Sequence, residues 1–273
     1  MALVTISRQI ASFGDEISSL VAKKLNYKFI GRKEIEERIT NLGFPKEKLH
    51  KFDEKKPGFF VSLSKDCDEY LDYLQTAILE EANENDCVFI GRGSFIILSE
   101  LKNHMSFRFV ANDKVRIDRI LSERDVNEKQ AKKIILESDN QRLGFHKSFF
   151  NYEIDDPSLY HAVINTGLFS IEDAAEMIVD TVKKSVKPED EVLGKKRIDE
   201  LLICQRIVNL LIFEYGLNIN FLKAVAHGNK ITLQGVADSS AIVNRALTLA
   251  RCELPAFEVI SDISVVQDLK AYQ

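Results

Sequence analysis

The segment between the first strand-like run and the first helix-like run has the position of an anion-binding loop. Backbone N–H groups at the start of a helix favour anions, and such loops lie at the carboxyl ends of strands, where ligands bind. The segment reads Ser7, Arg8, Gln9, Ile10, Ala11, Ser12, Phe13, Gly14 and Asp15. Its position indicates phosphate binding. Its composition does not, because it holds a single glycine and no lysine.

Other residues capable of chemistry form weaker patterns. Asp155 and Asp156 precede a proline, which is typical of a solvated turn, with a magnesium site as the alternative. His146 is interpreted as a surface residue rather than an acid–base group. None of the four cysteines belongs to a CxxC pair, which argues against a zinc or redox-dithiol site and predicts reduced cysteines. The metal ligands stay unknown at this point.

Strand-like and helix-like segments alternate through about the first 185 residues. We predict buried strands at Leu3–Ser7, Cys87–Ile90, Met105–Val110 and Ala162–Ile164. Helical patterns separate them, among them Asp15–Leu25, Tyr70–Ala82, Lys114–Ser122 and Ile171–Val182. This alternation predicts an α/β domain over residues 1–185, with a parallel sheet covered by helices on both faces.

The pattern changes after a polar stretch at residues 186–195, which contains Pro188 and Gly194 and is the predicted linker. Residues 196–273 then read as a separate αββαβ domain, with Gly228-Asn229 as a hairpin turn. Its predicted elements are Ile198–Glu214, Ile219–His227, Lys230–Val236, Ser239–Cys252 and Phe257–Val266.

Composition narrows the classes of partner. The 273 residues carry a formal net charge of -5, which does not favour bulk attraction to nucleic acid. No apolar run approaches the ~18 residues of a membrane span, and the N-terminus lacks the pattern of a signal peptide. We therefore expect no nucleic-acid partner, no membrane span and a cytoplasmic location.

The order of several short motifs resembles the cytidylate kinase-like family. Ser7-Arg8 with Ala11-Ser12-Phe13-Gly14 resembles its opening loop, and Val88 to Gly93 resembles its strand ending in Gly-Arg. The strand and arginine-bearing helix before the family's lid are similar to Phe107–Arg124. The lid and last strand are similar to residues 139–167, which hold Arg142, Asp156-Pro157 and Asn165-Thr166-Gly167. The resemblance covers about residues 2–183.

The resemblance implies a P-loop nucleoside monophosphate kinase-like fold with an ATP site, an acceptor site and a mobile lid. It implies phosphoryl transfer from ATP, with Mg²⁺, to a nucleoside monophosphate such as cytidylate or to a similar small acceptor. Because such transfer is mostly positioning and charge neutralisation, it assigns catalytic roles to Arg142, Arg92 and Arg124. Residues 7, 8 and 11–15 would then bind nucleotide phosphates. Each arginine has the alternative of being a solvated or salt-bridged surface residue.

The chain departs from the family at the loop. Ala11 and Phe13 stand where the family has glycine, and a side chain there hinders backbone approach to phosphate. Gly31 and His161 stand where the family has Asp. The alternative function is therefore a catalytically degenerate nucleotide-sensing or protein-interaction module, and the loop around Phe13 discriminates the two.

The C-terminal segment has its own resemblance. The run from Gly228 to Asp238, followed by a helix and the strand Val259–Val266, is similar to a BON-type domain, with the strand motif Leu233-Gln234-Gly235-Val236. The resemblance implies a binding or assembly role, such as a homo-oligomer or a protein partner. A small stable appendage without a ligand is the alternative.

Overall fold

The computed structural model describes residues 2–52 and 65–266. The chain divides into two compact units, Met1–Lys196 and Arg197–Gln273. Residues 267–273 of the predicted C-terminal domain lie outside the described residues. All four cysteines are free, and Cys252 is exposed while Cys67, Cys87 and Cys204 are buried.

The first unit contains a five-stranded parallel sheet and flanking helices. Its strands are β1 (Leu3–Arg8), β2 (Lys28–Ile30), β3 (Cys87–Ile90), β4 (His104–Val110) and β5 (Ala162–Asn165). Its helices are α1 (Gly14–Leu25), α2 (Arg32–Asn41), α3 (Lys65–Glu84), α4 (Ser94–Ile97), α5 (Asp113–Glu123), α6 (Glu128–Phe150) and α7 (Ile171–Ser185). Short 3-10 helices cover Lys46–Phe52 and Pro157–Leu159.

The strand order in this sheet is β2-β3-β1-β4-β5, and every pair is parallel. The predicted parallel, helix-covered sheet is confirmed. β1 is central and is buried from Leu3 to Ser7, as expected for a strand covered on both faces. Because β1 lies between β3 and β4, its carboxyl end brings the following loop beside the ends of both neighbours.

Packing of α1 fixes the loop between β1 and α1 at both ends. Val4 and Ile6 of β1 share one buried cluster with Ile17 and Val21 of α1 and with Ile178 of α7. Ile17 and Val21 are four residues apart in α1, so they lie on the same face of the helix. The loop therefore starts from a buried strand and ends on a buried helix.

The C-terminal part of the chain, from residue 188 onward, has the predicted αββαβ order. A helix, α8 (Pro188–Asn209), is followed by a π-helical turn, Leu210–Glu214, and then by β6 (Ile219–His227), β7 (Lys230–Ala237), α9 (Ser240–Glu253) and β8 (Glu258–Val265). β7 is the middle strand, antiparallel to β6 and parallel to β8. Gly228, with φ +60°, forms the predicted hairpin turn.

The sequence predicted a helix over Ile198–Glu214 after an irregular linker, and the predicted start of this helix is wrong. α8 begins at Pro188, inside the predicted linker. Proline is tolerated in the first helical turn, and three acidic residues there stabilise the helix dipole. Gly194 does not break the helix. It lies where any Cβ would collide with Asn103, so close packing, and not a turn, explains this glycine.

No helix within the described ranges, 2–52 and 65–266, is both long enough and apolar enough to cross a bilayer.

Candidate functional site

In the loop after β1, two residues that are not glycine have the left-handed backbone angles that glycine usually adopts. Ala11 and Phe13 have φ angles of 56° and 55°, in the left-handed region that costs an L-residue about 1–2 kcal/mol. Ser12 between them is fully buried, and its hydroxyl donates to the carbonyl of Gln9 at 2.8 Å. The surrounding structure therefore imposes this backbone shape, and such strain is concentrated at functional sites.

Gly14 is required for a different reason. A Cβ at Gly14 would lie 2.5 Å from Cγ and 2.8 Å from Cβ of Arg8, closer than real Cβ contacts. The aliphatic part of Arg8 therefore packs directly against the first residue of α1. This packing places the only cationic residue of the segment 7–15 at the start of the helix.

The N-terminus of α1 has no side-chain cap. Phe13 occupies the N-cap position and supplies no hydrogen bond, whereas Asn112, Asn127 and Ser170 cap α5, α6 and α7. The first turn of any α-helix leaves N–H groups without intrahelical partners. Together with the helix dipole, these groups favour an anion at the start of α1.

Two arginines of α5 hold the outer side of the loop. The Arg116 Nε donates to the carbonyl of Ile10 at 3.1 Å, and the Arg119 Nη1 donates to the carbonyl of Ala11 at 2.9 Å. Arg119 also donates to the Thr166 carbonyl at 2.5 Å. The hydrogen bonds from these two guanidinium groups to the loop carbonyls therefore stabilise the conformation of the loop.

The phenyl ring of Phe13 contacts an arginine of α5 and the hydrophobic core. The Arg119 guanidinium lies 3.8 Å from the centre of the ring, a cation–π contact. The ring also packs against the buried cluster of β1 and α1. Burial lowers the pKa of Arg119 from its usual value, against the opposing effect of Glu123 and Glu16.

Two cavities adjoin the loop and share part of their walls. The larger, of about 150 Å³, is lined by the loop and α1 start from Arg8 to Glu16 without Ser12, and by Ile120, Glu123, Arg124 and Arg142. The smaller, of about 30 Å³, is lined by Arg8, Gln9, Arg108, Asp139, Arg142, Leu143, Ile154 and Asp155. Arg8, Gln9 and Arg142 belong to both walls.

The predicted catalytic arginines are thus separated. Arg142 lines both cavities, and Arg124, an exposed residue at the end of α5, lines the larger one. Arg92 lines neither. Its guanidinium is buried, donates to the Phe52 carbonyl at 2.8 Å and pairs with Glu36 at 2.7 Å. The predicted phosphate-binding residues 8, 11 and 13–15 all line the larger cavity, while Ser7 and Ser12 are buried behind it.

The interpretation of His146 as a surface residue is wrong. Its side chain is 4% exposed, and its ring lies 5.7 Å from Phe95 and 5.3 Å from Phe145. Nδ1 is 2.8 Å from the carbonyl of Arg142. The ring is part of an aromatic cluster in which Phe95 comes from a remote segment of the chain, so the spacing of residues around His146 does not reveal the contact.

Three carboxylates line the larger cavity. They belong to Asp15, Glu16 and Glu123, yet the described residues contain no group of three or more His, Cys, Asp or Glu side chains placed to hold a metal ion. Mg²⁺ that enters with a nucleotide is held mainly by phosphates, waters and one or two carboxylates. One or two of these carboxylates would fit a magnesium ion that is held mainly by phosphate groups.

The five-stranded parallel sheet with flanking helices matches the P-loop kinase fold. The Cytidylate kinase-like family matches residues 3–168, and the chain belongs to this family. A curated relative, the cytidylate kinase of Methanocaldococcus jannaschii, is 24% identical over 188 residues, covering 67% of this chain and 99% of the relative.

Solved structures are similar to about two thirds of the chain. A crystal structure of an uncharacterized protein from Eubacterium ventriosum is 20% identical, with a TM-score of 0.54, and covers 67% of this chain and 99% of that one. A shikimate kinase from Bacteroides thetaiotaomicron is 11% identical, with a TM-score of 0.42, over 67% of this chain and 98% of its own.

Sequence reasoning assigned no role to three arginines that shape the site. Arg108 interrupts the apolar run of β4, and a charged residue in a buried strand is itself a signal of a built polar contact. Arg116 and Arg119 are three residues apart, which places them on one face of α5. Their shared target, the carbonyls of the loop, became visible only in the folded chain.

Proposed function

We propose that this protein transfers a phosphoryl group from ATP, with Mg²⁺, to a nucleoside monophosphate such as cytidylate or to a similar small acceptor. ATP would occupy the larger cavity, with its phosphates against the first turn of α1. The acceptor would approach from the smaller cavity. A cytoplasmic location, predicted from the sequence, belongs to the same proposal.

One observation carries this proposal. Arg8 and Arg142 line both cavities, so a phosphoryl group moving from one cavity to the other would pass these two arginines. Catalysis of phosphoryl transfer depends mainly on positioning and on neutralising the charge of the transferred group. Preorganised arginines at this boundary supply both, and Arg8 takes the place of the lysine that the loop lacks.

The chain's own groups have distinct tasks in this mechanism. Loop N–H groups and the start of α1 would bind the donor phosphates, and Arg124 would add charge at the rim of the larger cavity. Asp15 or Glu16 would orient the nucleotide-bound magnesium. Arg92 lies away from both cavities and would have a structural role, because its guanidinium is bonded to Glu36, Phe52 and Tyr70.

The alternative, a degenerate nucleotide-sensing module, depends on what Phe13 does. The ring contacts the Arg119 guanidinium and the core, and Phe13 also lines the larger cavity. This position is compatible with either function. The binding and turnover measurements below therefore discriminate the two.

Nucleotide binding and turnover test the proposal together. The full chain is titrated calorimetrically with ATP and Mg²⁺ and is then incubated with labelled ATP and a panel of nucleoside monophosphates. The proposal expects binding and a labelled product that increases linearly with enzyme. Binding without transfer would favour the sensing module, and the absence of both would refute the two functions alike.

We also propose that the C-terminal unit is a BON-like binding or assembly module. Its fold order agrees with that resemblance, and Phe221 on the edge strand β6 is 75% exposed. Sedimentation of the full chain and of Phe221→Ser tests it. Association that weakens in the variant supports the module. A chain that sediments as a monomer at all concentrations and retains no protein partner would favour a simple appendage.

A further inference from the structure

Arg108 and Asp155 form an ion pair on the wall of the smaller cavity, and their burial is very unequal. The Arg108 side chain is 4% exposed, whereas the Asp155 side chain is 62% exposed. The Arg108 Nη1 donates to the Ser7 hydroxyl at 2.8 Å, and its guanidinium lies 5.7 Å from the centre of the Tyr160 ring. The cation is therefore fixed from two sides, while its anionic partner can rotate into solvent.

Three arginines, Arg8, Arg108 and Arg142, and two carboxylates, Asp139 and Asp155, line the smaller cavity. Asp139 is already committed, since both of its oxygens accept from Arg116 at 2.8 Å. Asp155 is thus the lining carboxylate that an incoming anion could replace.

We propose that Arg108 binds the phosphate group of the phosphoryl acceptor, and that Asp155 is its exchangeable counterion in the ligand-free protein. This inference rests on the proposed function, which it deepens by naming the acceptor's anionic subsite. Guanidinium groups bind phosphate oxygens through paired, charge-assisted hydrogen bonds. Exchange of one carboxylate for a phosphate would preserve the pairing of the buried Arg108 throughout the binding cycle.

The position of Arg108 suits this role. In the parallel pairing of β1 with β4, Arg108 lies opposite Ser7, one residue before the Arg8 that lines both cavities. A phosphate held by Arg108 would therefore lie next to the arginines proposed to guide the transferred group. Acceptor and donor would meet at the shared wall of the two cavities.

Calorimetry with cytidine 5′-monophosphate, cytidine and inorganic phosphate tests the assignment. Asp155→Asn removes the competing carboxylate and should tighten binding of the monophosphate by about fivefold, the size of a partly exposed ion pair. Arg108→Gln should weaken it by about 30-fold, as expected for a lost charged hydrogen bond. Cytidine, which lacks the phosphate, should bind all variants alike.

Glu153→Gln is the matched control, because Glu153 lies two residues before Asp155, pairs with Lys147 and is 68% exposed. It removes one carboxylate without touching Arg108 and should leave affinity for the monophosphate unchanged. Weaker binding in Asp155→Asn would show that the pair is structural and would overturn the inference, even if Arg108→Gln does not fold. A wild-type chain that binds neither the monophosphate nor inorganic phosphate would overturn it too.

ATP titrations separate this inference from the proposed function. Asp155→Asn should bind ATP with Mg²⁺ within about twofold of wild type, since Asp155 does not line the larger cavity. Failure of ATP to bind the wild type counts against the kinase proposal alone. The phosphate-dependent difference between Asp155→Asn and Glu153→Gln still decides the role of Arg108.

Discussion

At the scale of single residues, the loop after β1 has left-handed backbone angles at two residues that are not glycine, and the surrounding contacts hold them there. Ala11 and Phe13 adopt left-handed backbone angles, and the carbonyls of Ile10 and Ala11 are held by Arg116 and Arg119. Charged hydrogen bonds of this kind are worth about 1.5–3 kcal/mol, enough to offset the strain of two such residues. These hydrogen bonds therefore hold the loop in its left-handed conformation.

Ala11→Gly should stabilise the protein, although glycine usually destabilises. Removing the Cβ at φ 56° relieves about 1–2 kcal/mol of backbone strain in the folded protein. The greater conformational freedom of glycine in the unfolded chain lowers the free energy of unfolding by about 0.5–1 kcal/mol. Urea unfolding should therefore show a gain of about 0.5–1 kcal/mol. Ala22→Gly, within the regular helix α1, is the control and should show a loss. A loss in both variants would mean that the loop does not hold this conformation.

Arg142→Ala should reduce kcat by at least ~100-fold, which is ~2.7 kcal/mol of barrier, if the protein is the proposed kinase. An arginine on the wall of both cavities binds charge that develops during transfer, and interactions made mainly in the transition state affect kcat. Turnover and the unfolding midpoint are measured on the same variant, and the midpoint should hardly change.

Lys133→Ala serves as the matched control for Arg142→Ala. Lys133 lies on the same helix, α6, is 74% exposed and pairs with Glu137 at 3.6 Å. The substitution removes one positive charge from α6 without touching either cavity, so turnover should stay at the wild-type level. Unchanged turnover in Arg142→Ala, combined with lost stability, would identify Arg142 as a structural residue.

At the scale of elements, α5 and α6 are joined by an ion pair as well as by apolar packing. Arg116 of α5 is 2% exposed and donates twice to Asp139 of α6, while its Nε binds the loop carbonyl of Ile10. Asp139 lies three residues before Arg142, on the same helix. The contact therefore sets the position of Arg142 relative to the loop.

A double-mutant cycle measures this coupling. Arg116→Met and Asp139→Leu should each cost about 3 kcal/mol of stability, because each leaves a partly or fully buried charge without its partner. The double variant should cost at least ~1 kcal/mol less than the sum of the two. Denaturant unfolding of the four proteins provides the values. Strict additivity would show that the two side chains do not interact energetically.

At the scale of the whole molecule, a buried histidine makes stability depend on pH. His104 of β4 is 4% exposed, and its Nε2 lies 2.7 Å from the Thr5 hydroxyl. Burial, with a smaller contribution from His161, lowers the pKa of His104 from 6.5 to about 3. Between these two values the unfolded chain binds a proton that the native chain does not.

The free energy of unfolding should therefore fall as the pH drops below 6.5, by up to about 1.4 kcal/mol for each pH unit from this residue. His104→Asn keeps a polar group near Thr5 but cannot bind the proton. It should lower stability at pH 7 and flatten the profile between pH 6.5 and 5. Denaturation midpoints over this range give both profiles, and parallel profiles for the two proteins would contradict the assignment.

Much of the molecule could be predicted from local pattern. The buried strand Cys87–Ile90 was predicted with the bounds that β3 has, and the apolar spacing in α1 predicted its buried face. The site was predicted less completely. The loop position after β1 and the lid arginine Arg142 were available from sequence, but the burial of Arg92 and His146 was not. Their partners, Phe52 and Phe95 among them, come from remote parts of the chain.

Sequence by itself determined the strand and helix periods, the place of the loop and the order of the αββαβ unit, because hydrophobic periodicity and turn residues act over a few residues. Only the tertiary structure decided which arginines share a cavity, since Arg8, Arg108 and Arg142 lie on three elements. It also decided that Ala11 and Phe13 keep a left-handed backbone. That conformation is strained locally and persists because Arg116, Arg119 and the core hold it in place.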